Sequence, residues 1–152
     1  MLYFIVNKKS RSGKGADVWQ EVQTALEEKQ VHYKAWITEY EGHATELARE
    51  ICEQPDEDIC LVVLGGDGTA NEVINGMTHF DKIPTGSGND LARGLGIKGT
   101  PIECLEKILA CIEEDREKCD TMDLGQVSWN GGKEPRLFAI SAGLGLDALV
   151  CK

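Results

Sequence analysis

The chain has 152 residues, 41% of them hydrophobic, and a formal charge of −10, with a pI near 4.7. Its length and apolar content point to one globular domain with a real core and argue against disorder. The acidic balance excludes a nucleic-acid scaffold, which needs a basic face, and simple electrostatic adhesion to anionic lipid. A bound polyanion would have to be held by placed amides, a cation or a metal.

LYFIVN (2–7) reads as a first strand, followed by the polar loop KKSRSGKG. A helix comes next, with Val18, Val22, Ala25 and Leu26 on one face. HYKAWIT (32–38) is a second strand. The stretch EYEGHATELAREICEQ then supplies a helix whose stripe is Ala44, Leu47, Ala48, Ile51 and Cys52, ended by Pro55. ICLVVL (59–64) is apolar on both faces, as a central parallel strand covered by helices on both sides must be. It runs into GGDGT and a third helix with Val73, Ile74 and Met77 on its apolar face.

The alternation then calls for another strand, but THFDKI leaves no room for one before Pro84. Either that edge is unusually truncated or residues are missing there. IPTGSGNDLARGLG is a glycine-rich loop entering a short helix. Pro101 suits the first position of a further helix, striped by Ile102, Leu105, Ile108, Leu109 and Ile112. MDLGQVSW (122–129) and RLFAIS (136–141) read as strands joined by an NGGK turn. Strand–helix alternation up to about residue 115 predicts an α/β fold with an open, mostly parallel sheet flanked by helices. The expected division is an α/β domain over 1–120 and the start of a β-rich second domain over 121–152.

The six cysteines include no C-x-x-C pair, and no histidine stands at zinc-finger spacing. Reduced thiols of a cytoplasmic protein are the expectation. MLYFIVNKKS is too short for a signal sequence, and no run is long enough to span a bilayer. The expected location is cytoplasmic, with peripheral access to a membrane surface.

The chemistry sits in three glycine-bearing loops, SRSGKG, GGDGT and PTGSGND. In open α/β sheets such loops meet at the carboxyl ends of the strands, where ligands bind. Exposed amides at a helix N-terminus favour phosphate. Asp67 would repel a phosphate unless a metal intervened, so it suggests Mg²⁺. Thr69 is a candidate cap for the third helix or a hydroxyl for the phosphate. Taken singly, GGDGT is equally well read as a tight strand–helix turn. Gly13-Lys14-Gly15 lacks the first glycine and the hydroxyl residue of a Walker A loop. Gly86-Ser87-Gly88-Asn89-Asp90-Leu91 breaks the dinucleotide fingerprint.

GGDGTANEVINGM followed by IPTGSGNDLARGLG resembles the catalytic domain of the diacylglycerol kinase family, which includes bacterial soluble lipid kinases and sphingosine kinases. Asn7 with SGKG, TEYEGHATELA, MDLGQV and FAISAGLGLDA fit the same course, so the resemblance spans nearly the whole chain. GGDGT alone is shared with NAD kinases and phosphofructokinases; its combination with GSGND is more specific. The resemblance implies a fold of NAD kinase/phosphofructokinase type and ATP-dependent phosphorylation of a lipid hydroxyl with Mg²⁺. By motif matching, Gly65, Gly66, Asp67, Gly68 and Thr69, with Asn71 and Glu72, would hold the triphosphate. Asn7, Ser12 and Gly13 would help from the first loop, Thr38 would line the nucleotide site, and Gly86, Ser87, Gly88 and Asn89 would close it.

Asp67, Asp90 and Asp123 resemble the positions that organise Mg²⁺ and its waters, and Asp67 stands as the catalytic candidate. In that family the base comes from a carboxylate in a later β domain. The expectation is therefore an N-terminal piece that binds nucleotide without efficient turnover alone. An NAD kinase-like enzyme and a non-catalytic nucleotide-binding module remain alternatives. His43 reads as a helix-end residue, Lys14 as an exposed loop lysine, and Trp19, Trp36 and Trp129 as scattered aromatics.

Overall fold

The computed structural model describes residues 1–10, 13–55, 59–77, 85–86, 89–113, 122–129 and 134–139. Four parallel strands form one sheet: β1 (Leu2–Val6), β2 (Tyr33–Ile37), β3 (Cys60–Leu64) and β4 (Thr85–Gly86), in the order β2-β1-β3-β4. The helices are α1 (Gly15–Glu28), α2 (His43–Cys52), α3 (Asp67–Gly76), α4 (Asn89–Gly94) and α5 (Pro101–Glu113). An antiparallel hairpin, β5 (Gly125–Trp129) with β6 (Glu134–Phe138), follows. Among the described residues no helix is long and apolar enough to cross a membrane.

The strands alternate their side chains between two cores. Tyr3, Ile5, Leu61 and Val63 face α2 and α3, meeting Leu47, Ala48, Ile51, Val73 and Met77. Leu2, Phe4, Val6 and Val62 face the other way, onto Trp19, Val22 and Leu26 of α1 and Leu105 of α5. Every residue of β1 is buried, as expected of an inner strand covered on both sides. Trp19 corrects the reading of α1. It replaces Val18 at the head of the buried stripe and packs 5.4 Å from the Phe4 ring. Large aromatics contribute much buried area, so the stripe rotates to admit the indole.

The missing edge strand exists as two residues: Thr85 pairs with Val62 and Gly86 with Val63, inside the segment read as loop. The hairpin also sits earlier than expected, with β6 beginning at Glu134. Residues 140–152, carrying the GLGLDA motif, lie outside the described residues. Pro101 does open α5, and Thr100 and Glu103 close a capping box the sequence reading missed. The Thr100 N–H donates to Glu103 Oε2 (2.7 Å), and the Glu103 N–H donates to Thr100 Oγ1 (3.2 Å). Cys104 and Cys111 carry free thiols.

α2 and α3 pack closely because Gly76 has no side chain. A methyl there would strike the Thr45 carbonyl oxygen and lie 2.7 Å from Ala48 Cβ. Gly76→Ala is therefore expected to destabilise the fold by about 1–3 kcal/mol in urea unfolding, although alanine is the better helix former.

Candidate active site

Parallel register determines which loops meet. Val6 is paired with both Ile37 and Leu64, so Asn7, Thr38 and Gly65 leave the sheet side by side. The Asn7 N–H donates to the Leu64 carbonyl (2.8 Å), and the Thr38 N–H donates to the Val6 carbonyl (2.9 Å). The chain leaves β1 toward β2 on one side, and β3 leads toward β4 on the other. A crevice opens between such diverging connections. Asn7 bridges it by donating from Nδ2 to Thr69 Oγ1 (3.0 Å).

The first loop wraps around Asn7. Its Oδ1 accepts from the Lys9 N–H (3.0 Å) and its carbonyl from the Ser10 N–H (3.2 Å). Gly13 adopts φ +94°, a left-handed conformation that suits glycine. A Cβ at Gly15 would lie 2.6 Å from the Asn7 carbonyl oxygen, so the start of α1 presses against this turn.

The residues of GGDGT have divided tasks. A Cβ on Gly65 would lie 2.7 Å from Thr69 Cβ and Oγ1, so this glycine exists for packing. Thr69 is 6% exposed, lies within α3 and turns its hydroxyl to Asn7. That corrects its reading as a helix cap: the N-cap is Gly66, in extended backbone, with no side-chain cap bond. A helix's first-turn N–H groups have no intrahelical partners, and they gather positive potential. Gly66 and Gly68 flank this end with open space where a Cβ would stand, and neither has a positive φ.

Asp67 is engaged by a neighbouring helix. Both carboxylate oxygens accept from the Asp90 N–H (3.2 Å each), and Oδ1 accepts from the Leu91 N–H (3.3 Å). It thus caps α4, joining GGDGT to the last residue of GSGND and to Leu91 after it. Asp90 itself pairs with Arg93 one turn on. Asp123 is exposed just before β5. Among the described residues no three His, Cys, Asp or Glu side chains gather as a metal site. The three aspartates therefore do not make a protein cage for Mg²⁺.

Glu72 also caps a helix. Its Oε2 accepts from the Ala44 N–H (3.2 Å), in the first turn of α2, and its carbonyl accepts from Thr45 Oγ1 (2.9 Å). Asn71 lies half-buried on the same helix, and its carbonyl accepts from Asn75 Nδ2 (2.8 Å). Beyond Thr38, His43 opens α2, and its Nδ1 accepts from the Glu39 N–H (3.1 Å) in the preceding loop rather than from the helix end. The Tyr40 ring stacks on His43, with centroids 4.5 Å apart. A hydrogen bond to Glu46 raises the Tyr40 phenol above its usual pKa. Lys9 Nζ donates to the Glu39 carbonyl (3.1 Å), tying the first loop to this one. Gly86 is in β4 and Asn89 opens α4. Ser12, Ser87 and Gly88 lie outside the described residues.

The sequence reading missed Asn75, which binds both backbone groups of Leu137 on β6. Its place in NEVINGM, facing away from the apolar stripe, was the available signal.

The sequence model of the diacylglycerol kinase catalytic domain matches residues 1–126. "Putative lipid kinase YtlR" of Bacillus subtilis (strain 168) is 34% identical, with the match covering 99% of this chain and 49% of that protein. The Bacillus subtilis protein named diacylglycerol kinase is 39% identical over 54% of this chain and 27% of its own length. Sphingosine kinase 1 of Rattus norvegicus is 34% identical over 60% of this chain and 26% of its own. A solved structure of a Bacillus anthracis (strain Sterne) diacylglycerol kinase superposes with a TM-score of 0.62 at 26% identity, over 81% of this chain and 42% of that one. The chain spans about half the length of the first of these relatives and less of the others. With a catalytic-domain match over most of its residues and the motif loops gathered at one sheet edge, this chain belongs to the diacylglycerol kinase family of lipid kinases.

Proposed function

We propose that this chain binds Mg-ATP at the carboxyl edge of its sheet and serves transfer of the γ-phosphoryl group to a lipid hydroxyl of the diacylglycerol class. The products would be ADP and a lipid phosphomonoester. The observation that carries the reading is the open space at Gly66 and Gly68 beside the N-terminus of α3. The fold makes no steric or φ demand for glycine at either position. A ligand whose phosphates come against the backbone does make that demand.

In this reading Gly66, Gly68 and Asn71 face the triphosphate, and Asn7, Gly13 and Thr38 flank it. Thr69 acts indirectly, by holding Asn7. Mg²⁺ bound with a nucleotide commonly keeps waters and takes one or two carboxylates plus phosphate oxygens. The donor set fits that mode, with Asp67, Asp90 and Asp123 serving the metal's waters, and it does not fit a resident metal. Magnesium would neutralise charge on the transferring phosphoryl group. The protein would act by positioning, on a framework that Asp67 and Glu72 hold together through helix caps. The hairpin from about residue 121 is proposed as the opening of a second, β-rich part, and the lipid would be met peripherally at a membrane surface.

Calorimetric titration of the chain with ATP and Mg²⁺ tests the binding step. Saturable heat that needs both components is the expected result, and no heat with no thermal shift would remove the reading. Assays of the full-length protein with diacylglycerol and with NAD then separate the lipid acceptor from a nicotinamide one.

A further inference from the structure

α3 carries GGDGT at its N-terminus and meets the β5–β6 hairpin further along. Ala70 and Ile74 on one flank of α3 join Leu91 of α4, and Met122, Leu137 and Ala139 pack against them. Beside this apolar contact, the Asn75 amide acts as a strand partner. Nδ2 donates to the Leu137 carbonyl (2.9 Å), and Oδ1 accepts from the Leu137 N–H (2.9 Å). Nδ2 also donates to the Asn71 carbonyl (2.8 Å), so both amide hydrogens are used. The two bonds to Leu137 fix which way the amide points. Aspartate lacks the donor, leucine lacks both functions, and glutamine is one carbon too long for the same spacing.

Leu137 turns its N–H and carbonyl away from β5, toward α3. The open edge of a two-stranded sheet is thereby closed by a side chain. Apolar packing alone is non-directional and permits sliding, whereas two antiparallel hydrogen bonds set register and angle. Asp123 stands two residues before β5, and Asp67 stands two turns before Asn75 on α3. The latch therefore determines where the hairpin lies relative to the phosphate-facing end of α3.

We propose that Asn75 is a positioning residue, latching the β5–β6 hairpin to α3 so that the two sides of the site keep one orientation. Its consequence for turnover rests on the kinase reading; the latch itself does not. Hydrogen exchange on the full-length protein without substrate reads the latch directly. The Leu137 amide is expected to be protected in the wild type and to exchange at least about tenfold faster in Asn75→Leu, with Asn75→Asp between them. A Leu137 amide that exchanges freely in the wild type overturns the proposal without any variant. So does unchanged protection in Asn75→Leu.

Steady-state kinetics with Mg-ATP and diacylglycerol in mixed micelles then read the consequence. Asn75→Leu should lower kcat roughly tenfold to a hundredfold, the scale of a misplacement near 1 Å, and leave the KM for ATP within about twofold. Parallel loss of kcat and ATP affinity would mean that Asn75 merely supports α3, and would overturn the positioning role. A wild-type protein that phosphorylates no lipid would sink the kinase reading alone, because the exchange measurement needs no turnover.

Discussion

Asp67→Ala is expected to lower phosphoryl transfer by the full-length protein at least about 100-fold, while Asp67→Asn separates the observed helix cap from the proposed metal role. The carboxylate accepts N–H bonds from Asp90 and Leu91 and so caps α4. Asparagine caps helices about as well as aspartate, whereas alanine costs about 0.5–2 kcal/mol of stability. Urea unfolding should therefore place Asp67→Asn near the wild type and Asp67→Ala below it by that amount. Activity should follow a different order. If the charge serves Mg²⁺ and its waters, both variants lose turnover to a similar degree. If the carboxylate is only a brace for α4, Asp67→Asn keeps most of its activity and the metal role fails. Mg²⁺ titrations at fixed ATP sharpen the distinction, since a lost water-mediated contact raises the Mg²⁺ requirement and a lost brace does not.

That one carboxylate suits both a helix end and a metal marks the limit of what the sequence disclosed. The alternation of strands and helices was legible because periodicity and apolar runs are local properties: ICLVVL could only be an inner strand, and HATELAREIC carries its stripe openly. β4 was not legible, because two residues have no periodicity and Thr85–Gly86 join the sheet only because β3 is beside them. Trp19 was misread for a related reason: the partner that draws it inward, Phe4, stands on another element.

In the site, the register brings Asn7, Thr38 and Gly65 side by side as the motif suggested, but the motif did not disclose the contacts these loops make within the fold. A carboxylate suited to a metal is equally suited to helix N–H groups, and only tertiary placement shows which groups it meets. Asp67 meets α4 and Glu72 meets α2. Thr69 likewise offered a hydroxyl to the reader of the sequence, and the fold directs it inward to Asn7. Asn75 shows the converse. It was passed over as an ordinary helix residue, because its partner Leu137 lies 62 positions away.

Gly65 and Gly68 of GGDGT should give opposite responses to the same substitution. At Gly65 a methyl group would lie 2.7 Å from Thr69 Cβ, and Thr69 cannot easily yield, being buried and bonded to Asn7. Gly65→Ala is expected to lose about 1–3 kcal/mol by overpacking and to loosen the bond across the crevice. Gly68 has open space around the missing Cβ and lies inside α3. There alanine should be tolerated and should raise stability by up to about 1 kcal/mol through helix propensity. In calorimetry the same Gly68→Ala variant should bind Mg-ATP at least about tenfold more weakly, a loss of roughly 1.4 kcal/mol, because the methyl would stand where the proposed phosphate approaches the backbone. Higher stability with lower affinity is a combination that damage to the fold cannot produce. If Gly68→Ala binds Mg-ATP as the wild type does, the phosphates do not lie against the start of α3, and the site must be sought along another loop of the same sheet edge.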